Sequence, residues 1–114
     1  LLEAVQKFIG RRFQSLRLGG GGAQSDVWAQ IMADVLKIEM RQLAEPRLTN
    51  VRGAAFLALD RLGWLPLDQS PAQVKFARIY QPDPERGALY DSLYAQFRAC
   101  YRQLNPIFHR LNQS

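Results

Sequence analysis

The sequence has too little cysteine and histidine for several classes of protein. Its 114 residues include one cysteine and one histidine, so neither an internal disulfide nor a structural zinc site can be built from them. No apolar run approaches the roughly 18–20 residues that a membrane-spanning helix needs. A disulfide-stapled secreted scaffold and a transmembrane protein are therefore excluded. The composition, 47% hydrophobic and 22% charged, is typical of one folded domain, and we expect a cytoplasmic location.

Long runs of one charge are also missing. Lys and Arg number 15 against 10 Asp and Glu, which gives a net charge of +5. The cations are dispersed, with Arg11-Arg12 as the one adjacent pair, whereas a nucleic-acid patch usually clusters about five. We therefore expect neither a nucleic-acid nor a membrane partner, and a stand-alone basic interaction or nucleic-acid-binding module is the alternative function. The start at Leu1 lacks Met or a basic leader, and we expect no signal peptide and a piece of a larger protein.

Hydrophobic spacing predicts helices that alternate with short strands. The predicted helices are 1–13, 27–36, 51–62 and a long C-terminal helix from Pro84, and the predicted strands are Ser15–Leu18 and 38–43. Residues 74–80 suit either a helix or an extended segment. Asp83 and Pro84 are the expected N-cap and first residue of the last helix, which Pro106 should kink or end. This order predicts an α/β fold with a small parallel sheet.

A run of four glycines joins the first strand to the second helix. Glycines there let the backbone approach a ligand without a clash at Cβ, and the N-terminus of the following helix suits phosphate or the polar edges of a nucleotide. Ser25 is the expected N-cap of that helix, and Asp26 lies in its first turn. The spacing is neither GxGxxG nor a Walker loop. By local sequence alone, a tight turn in an ordinary α/β unit is an equally good interpretation.

Residues around this run resemble a known family. The segment 16–28, LRLGGGGAQSDVW, with QIMAD at 30–34, is similar to the adenosine-side loop and helix of FGGY carbohydrate kinases such as the xylulokinases. RGAA at 52–55 resembles their second glycine–alanine element, and YQPDPE at 80–85 with the helix after it resembles their end. The match is collinear over nearly the whole chain. Gly19, where an aliphatic residue is more usual, and Asn50-Val51 depart from the pattern.

The resemblance implies a fragment of an actin-like, ribonuclease-H-like ATPase domain. Residues 1–114 would form the C-terminal portion of the second, nucleotide-facing domain of an ATP-dependent sugar kinase, with Mg²⁺ bridging the phosphates. Gly21 and Gly22 would face the nucleotide, Gly20 would shape the turn, and Asp26 stands where relatives place an Asn near the adenosine. The sugar pocket, the catalytic carboxylate and the first phosphate loop lie upstream in the family. We therefore expect no catalytic or metal-binding residue here, no activity of this piece alone, and a homodimer formed through its uncovered surfaces.

Other conspicuous residues have structural interpretations. Trp28 and Cys100 lie on apolar helical stripes, and we expect both to pack in the core. Gly53 and its alanine neighbours should allow close packing of a helix on the sheet. His109 has no acid or serine at a spacing that would indicate catalysis.

Overall fold

A computed structural model describes residues 2–113 as short strands and longer helices. The elements are α1 (Leu2–Ile9), β1 (Ser15–Leu18), α2 (Asp26–Leu36), β2 (Glu39–Leu43), α3 (Thr49–Arg61), β3 (Phe76–Tyr80) and α4 (Pro84–Leu111). Turns of 3₁₀ helix occupy Gly21–Gln24, Pro46–Leu48 and Leu67–Gln73. The α/β prediction is confirmed, although α1 ends four residues before the predicted boundary.

The three strands form one mixed sheet in the order β1-β2-β3. β1 runs parallel to β2, as expected, but β3 is antiparallel to β2 and pairs Tyr80 with Met40. The prediction of a purely parallel sheet is wrong at this second pair. The connection after β2 returns to the same end of the sheet, where the N–H of Ala44 donates to the carbonyl of Lys75 over 2.9 Å. The ambiguous segment 74–80 is thereby resolved as a strand.

The core lies between α2 and the sheet. Ala29 and Ala33 are fully buried and pack with Met40 and Tyr80. Two alanines on one face of α2 let the helix axis approach the sheet closely, so that a few larger side chains fill the remaining space. This packing fixes the start of α2, and with it the glycine run, over β2 and β3.

Capping residues confirm the predicted starts of α2 and α4 and the predicted end of α3. The hydroxyl of Ser25 accepts a hydrogen bond from the N–H of Trp28, and the carboxylate of Asp83 accepts from the N–H groups of Glu85 and Arg86. Gly63 follows α3 with φ +70°, the left-handed conformation that glycine adopts without strain.

Three expectations about packing are wrong. Trp28 is 53% exposed, because α2 packs through its alanines and turns the indole away from the sheet. Cys100 is exposed, since α4 packs against α2 near Gly87 and the cysteine lies about 20 Å farther along the helix. A side chain at Gly53 would contact nothing within 4 Å, so this glycine serves no close packing.

The long last helix continues through Pro106 to Leu111, so the proline does not end it. Within residues 2–113, no helix has both the length and the hydropathy required to cross a bilayer.

Candidate functional site

The glycine run makes a sharp turn between β1 and α2. Gly20 has φ +90° and ψ −175°, a conformation essentially restricted to glycine. Its N–H donates to the carbonyl of Pro46 over 2.7 Å, and its carbonyl accepts from the N–H of Ala23 over 3.2 Å. These bonds hold the chain as it enters the 3₁₀ turn. The expectation that Gly20 shapes the turn agrees with this geometry.

Gly19 is the glycine that the packing itself requires. A Cβ placed there would lie 2.4 Å from Oγ1 of Thr49 and 3.1 Å from Cδ1 of Leu43. The Thr49 hydroxyl is itself fixed, since it donates to the carbonyl of Pro46 over 2.7 Å. The backbone therefore approaches α3 closely at Gly19. The sequence pattern marked this residue as a departure and gave it no role.

Gly21 and Gly22 are exposed and lie on the open side of the turn. A Cβ at Gly21 would meet nothing within 4 Å, and one at Gly22 would reach an ordinary contact of 3.6 Å with the Trp28 ring. Neither has a positive φ. Their missing side chains thus leave free space outside the protein, next to the first turn of α2.

The side-chain amide of Gln42, which is buried, holds the 3₁₀ turn against the sheet. Ala23 is 1% exposed, and its carbonyl accepts a hydrogen bond from Nε2 of Gln42 over 2.6 Å. Gln42 lies on β2 between Met40 and Leu43, and all three are buried. A polar side chain on the buried face of a strand needs a partner, and here that partner is the glycine turn.

Asp26 links the start of α2 to the end of the sheet. Its Oδ1 accepts from Oη of Tyr80 over 2.7 Å and from Nε2 of Gln42 over 3.4 Å, while its Oδ2 accepts from Nη1 of Arg78 over 2.5 Å. The Tyr80 hydrogen bond is the main reason that the pKa of Asp26 lies below its usual value. Burial and the neighbouring carboxylate raise the pKa of Tyr80. Asp26 is therefore an anion at neutral pH, and one side of it stays open to solvent.

A second polar cluster fixes the start of α4 instead of facing the loop. Asp34 is 1% exposed, and its Oδ1 accepts from the N–H of Asp83 and from Nε2 of Gln30, each over 2.8 Å. Its Oδ2 pairs with Nε of Arg86 at 2.9 Å. The sequence pattern did not indicate that Asp34 meets Asp83 and Arg86 at the start of α4. The one available signal was that Gln30 and Asp34 are four residues apart and therefore lie on the same side of α2.

The structure brings the candidate ligand-contacting residues together. Gly20, Gly21, Gly22 and Asp26 lie together at the N-terminal end of α2. No group of three or more His, Cys, Asp or Glu side chains that could hold a metal ion occurs in residues 2–113. His109 lies in the last turn of α4, far along the chain from this loop. The turn offers exposed backbone, a helix N-terminus and one carboxylate, an arrangement suited to binding a ligand.

Comparison with known proteins agrees with the resemblance. No family model matches the chain. It is 31% identical over 105 residues to a xylulose kinase of Staphylococcus epidermidis, covering 90% of this chain and 21% of that protein. It is 36% identical over 98 residues to a glycerol kinase of Pseudomonas savastanoi, covering 83% of this chain and 19% of the relative. The crystal structure of xylulose kinase from Rhodospirillum rubrum superposes with a TM-score of 0.72 at 40% identity, over 94% of this chain and 22% of that one.

The chain matches FGGY sugar kinases over about nine tenths of its length. Its small sheet and long last helix are part of the actin-like ATPase fold of those enzymes, as the sequence analysis expected. It spans about a fifth of the length of the relatives that it matches.

Proposed function

We propose that residues 1–114 are the C-terminal portion of the nucleotide-facing domain of an ATP-dependent sugar kinase, in which the glycine turn contacts the adenosine side of ATP. The whole enzyme would transfer the γ-phosphoryl group to a sugar hydroxyl. The match to sugar kinases supports the reaction class, and the free space outside Gly21 and Gly22 supports the place of contact. The stand-alone nucleic-acid-binding alternative has no support in the relatives, and several cations that it would need are paired with carboxylates, among them Lys37, Arg41 and Arg78.

The observation that carries the proposal is the contrast between the four glycines. Gly19 is needed for packing and Gly20 for its backbone conformation, which leaves Gly21 and Gly22 without an internal reason to lack a side chain. Open glycines beside a helix N-terminus let a ligand reach backbone N–H groups. A nucleoside in contact with the turn would explain why both positions are glycine.

Asp26 suits the nucleoside better than the phosphates. Its carboxylate accepts hydrogen bonds and is negatively charged, so it would repel a triphosphate and attract a donor such as a ribose hydroxyl or the adenine amino group. Tyr80, Gln42 and Arg78 fix its orientation before any ligand arrives. Such preorganisation lowers the cost of binding.

We propose that Asp26 does not bind the Mg²⁺ that accompanies ATP in phosphoryl transfer. Asp26 is the one carboxylate in the first turn of α2, and it is already held by three side chains. The metal would therefore be held by phosphate oxygens and by groups outside this chain.

The sugar substrate that we propose is a polyhydroxy compound. The relatives include a xylulose kinase and a glycerol kinase, which act on polyhydroxy substrates of different length. We favour a pentulose such as xylulose, because the Rhodospirillum rubrum neighbour shares 40% identity.

The test is Gly21→Val in the complete kinase polypeptide. A β-branched side chain there has room in the protein and would block only an external ligand. We expect the KM for ATP to rise about tenfold, which corresponds to about 1.4 kcal/mol, with the KM for the sugar and the melting temperature nearly unchanged. Gly53→Val, at an equally open glycine on α3, is the matched control. Unchanged ATP kinetics in Gly21→Val would overturn the proposal.

A further inference from the structure

Trp28 places an exposed indole ring beside the glycine turn. Long side chains of a helix lean towards its N-terminus, so the ring extends from the first turn of α2 back to residue 22. A Cβ added at Gly22 would lie 3.6 Å from Cδ1 and 3.7 Å from Nε1 of the indole. The residue is nevertheless 53% exposed. One edge of the ring thus adjoins the turn, and much of its surface is open to solvent.

Packing within residues 2–113 gives no reason for an aromatic side chain at this position. The core between α2 and the sheet forms around Ala29 and Ala33. The partly buried side chains packed against that core are Leu16, Leu18, Met32 and Leu36. The N–H of Trp28 donates to Oγ of Ser25 over 3.2 Å, a bond that fixes the backbone and leaves the ring out of the core.

The absent side chain at Gly22 keeps one edge of the indole uncovered. A Cβ there would already be in van der Waals contact with the pyrrole part of the ring, and a β-branched residue would cover more of it. Gly22 has no positive φ, and no close contact forbids a side chain at this position. The pairing of a bare Cα with an exposed ring therefore leaves room for a ligand that touches both.

A nucleobase has the chemistry to occupy this room. Its ring is flat, and stacking on aromatic side chains is a main source of affinity for unpaired bases. A phosphate group is a poor alternative, because the face of an aromatic ring carries negative partial charge. We propose that Trp28 stacks on the adenine base of the nucleotide. The inference rests on the proposed function, in which the glycine turn contacts the adenosine side of ATP, and it adds the side chain that holds the base.

The test compares Trp28→Leu with Trp28→Phe in the complete kinase polypeptide. Leucine keeps an apolar side chain and removes the aromatic face, whereas phenylalanine retains an aromatic face. We expect the KM for ATP to rise about tenfold in Trp28→Leu, equal to about 1.4 kcal/mol, and less than about threefold in Trp28→Phe. The KM for the sugar and the melting temperature should be nearly unchanged. Trp64→Leu, at a tryptophan that is 74% exposed and follows α3, is the matched control and should leave the KM for ATP unchanged.

Two further measurements identify the base as the group that Trp28 contacts. Inorganic tripolyphosphate, which has no base, should inhibit Trp28→Leu as strongly as it inhibits the parent. ADP should quench tryptophan fluorescence in the parent more than in Trp28→Phe. An unchanged KM for ATP in Trp28→Leu would overturn the proposal, and so would an equal weakening of ATP and tripolyphosphate. If acrylamide cannot quench the Trp28 emission before nucleotide is added, another segment of the polypeptide covers the ring and the proposal is wrong.

Failure of this inference and failure of the proposed function give different results. If Gly21→Val raises the KM for ATP and Trp28→Leu does not, the turn contacts the nucleotide and Trp28 does not hold the base. If neither substitution changes the KM for ATP, both proposals are wrong.

Discussion

The hydroxyl of Tyr80 donates a 2.7 Å hydrogen bond to Oδ1 of Asp26, joining the last residue of β3 to the first residue of α2. The same hydroxyl lies 3.2 Å from Oε1 of Gln42, whose amide group holds the glycine turn. One tyrosine at the end of the sheet thus connects the carboxylate and the turn that we propose as the nucleoside contact. Nothing in the sequence around Tyr80 indicated that its hydroxyl would contact Asp26 and Gln42.

Tyr80→Phe should raise the pKa of Asp26 towards its usual value of 3.8. The substitution removes the hydrogen bond that contributes most to the lowered pKa and keeps the aromatic ring in the core. Because the folded-state pKa lies below the unfolded one, the stabilisation from Asp26 is complete above about pH 4 and is lost as the pH falls through the folded value. The variant should therefore lose less stability on acidification. An NMR titration of the Asp26 side-chain carbon measures the shift directly.

Tyr94→Phe is the control for this titration, since Tyr94 lies exposed on α4. It should leave the Asp26 titration unchanged. An Asp26 pKa that is the same with and without the Tyr80 hydroxyl would show that Arg78 and Gln42 alone determine it.

Asp34→Ala should destabilise the protein by about 2–3 kcal/mol, since it leaves the N–H of Asp83 unpaired and removes a buried carboxylate from its partners. Asp91→Ala is a matched control, because its ion pair with Lys37 is exposed on both sides and should contribute less than about 1 kcal/mol. Urea unfolding of both variants measures the difference. Equal losses would mean that the Asp34 cluster does not hold α4 in place.

The positions of the helices and strands could be predicted from the sequence, but the direction of β3 and the burial of individual side chains could not. Capping residues such as Ser25 and Asp83 act within a few residues along the chain, so local pattern finds them. The direction of β3 depends on how a connection of more than thirty residues returns to the sheet, which periodicity does not encode. The exposure of Trp28 and Cys100 depends on what packs against a stripe, whereas the pattern shows only that a stripe exists.

In the candidate site, too, residues that are adjacent in sequence could be predicted and residues brought together by the fold could not. The glycine run and Asp26 are adjacent in sequence and could be found by motif. Gln42, Arg78 and Tyr80 reach the same place from strands up to 54 residues away, and their residue types alone do not indicate that they meet. Gly19 is the clearest example, because its need for a bare Cα comes from Thr49 on another element.

The isolated 114-residue chain should transfer no phosphate to any sugar. Phosphoryl transfer requires that nucleotide, sugar and general base be positioned together, and the family places the last two in sequence outside this segment. A coupled assay of ADP release with pentoses, hexoses and polyols measures this. Sugar-dependent turnover above that of a mock purification would contradict the expectation.

A paired substitution tests whether Gly19 is required by packing against α3. Gly19→Ala should cost about 1–3 kcal/mol, because its Cβ would overlap Oγ1 and Cγ2 of Thr49. Removing those two atoms with Thr49→Ala costs the hydrogen bond to Pro46 but opens the space, so the double variant should be more stable than the sum of the single losses predicts. We expect a coupling of at least about 0.5 kcal/mol in the thermodynamic cycle from urea unfolding. Gly21→Ala, where a Cβ meets nothing, should show no coupling with Thr49→Ala. If the Gly19 and Thr49 losses simply add, the close approach of the turn to α3 is not what requires glycine at this position.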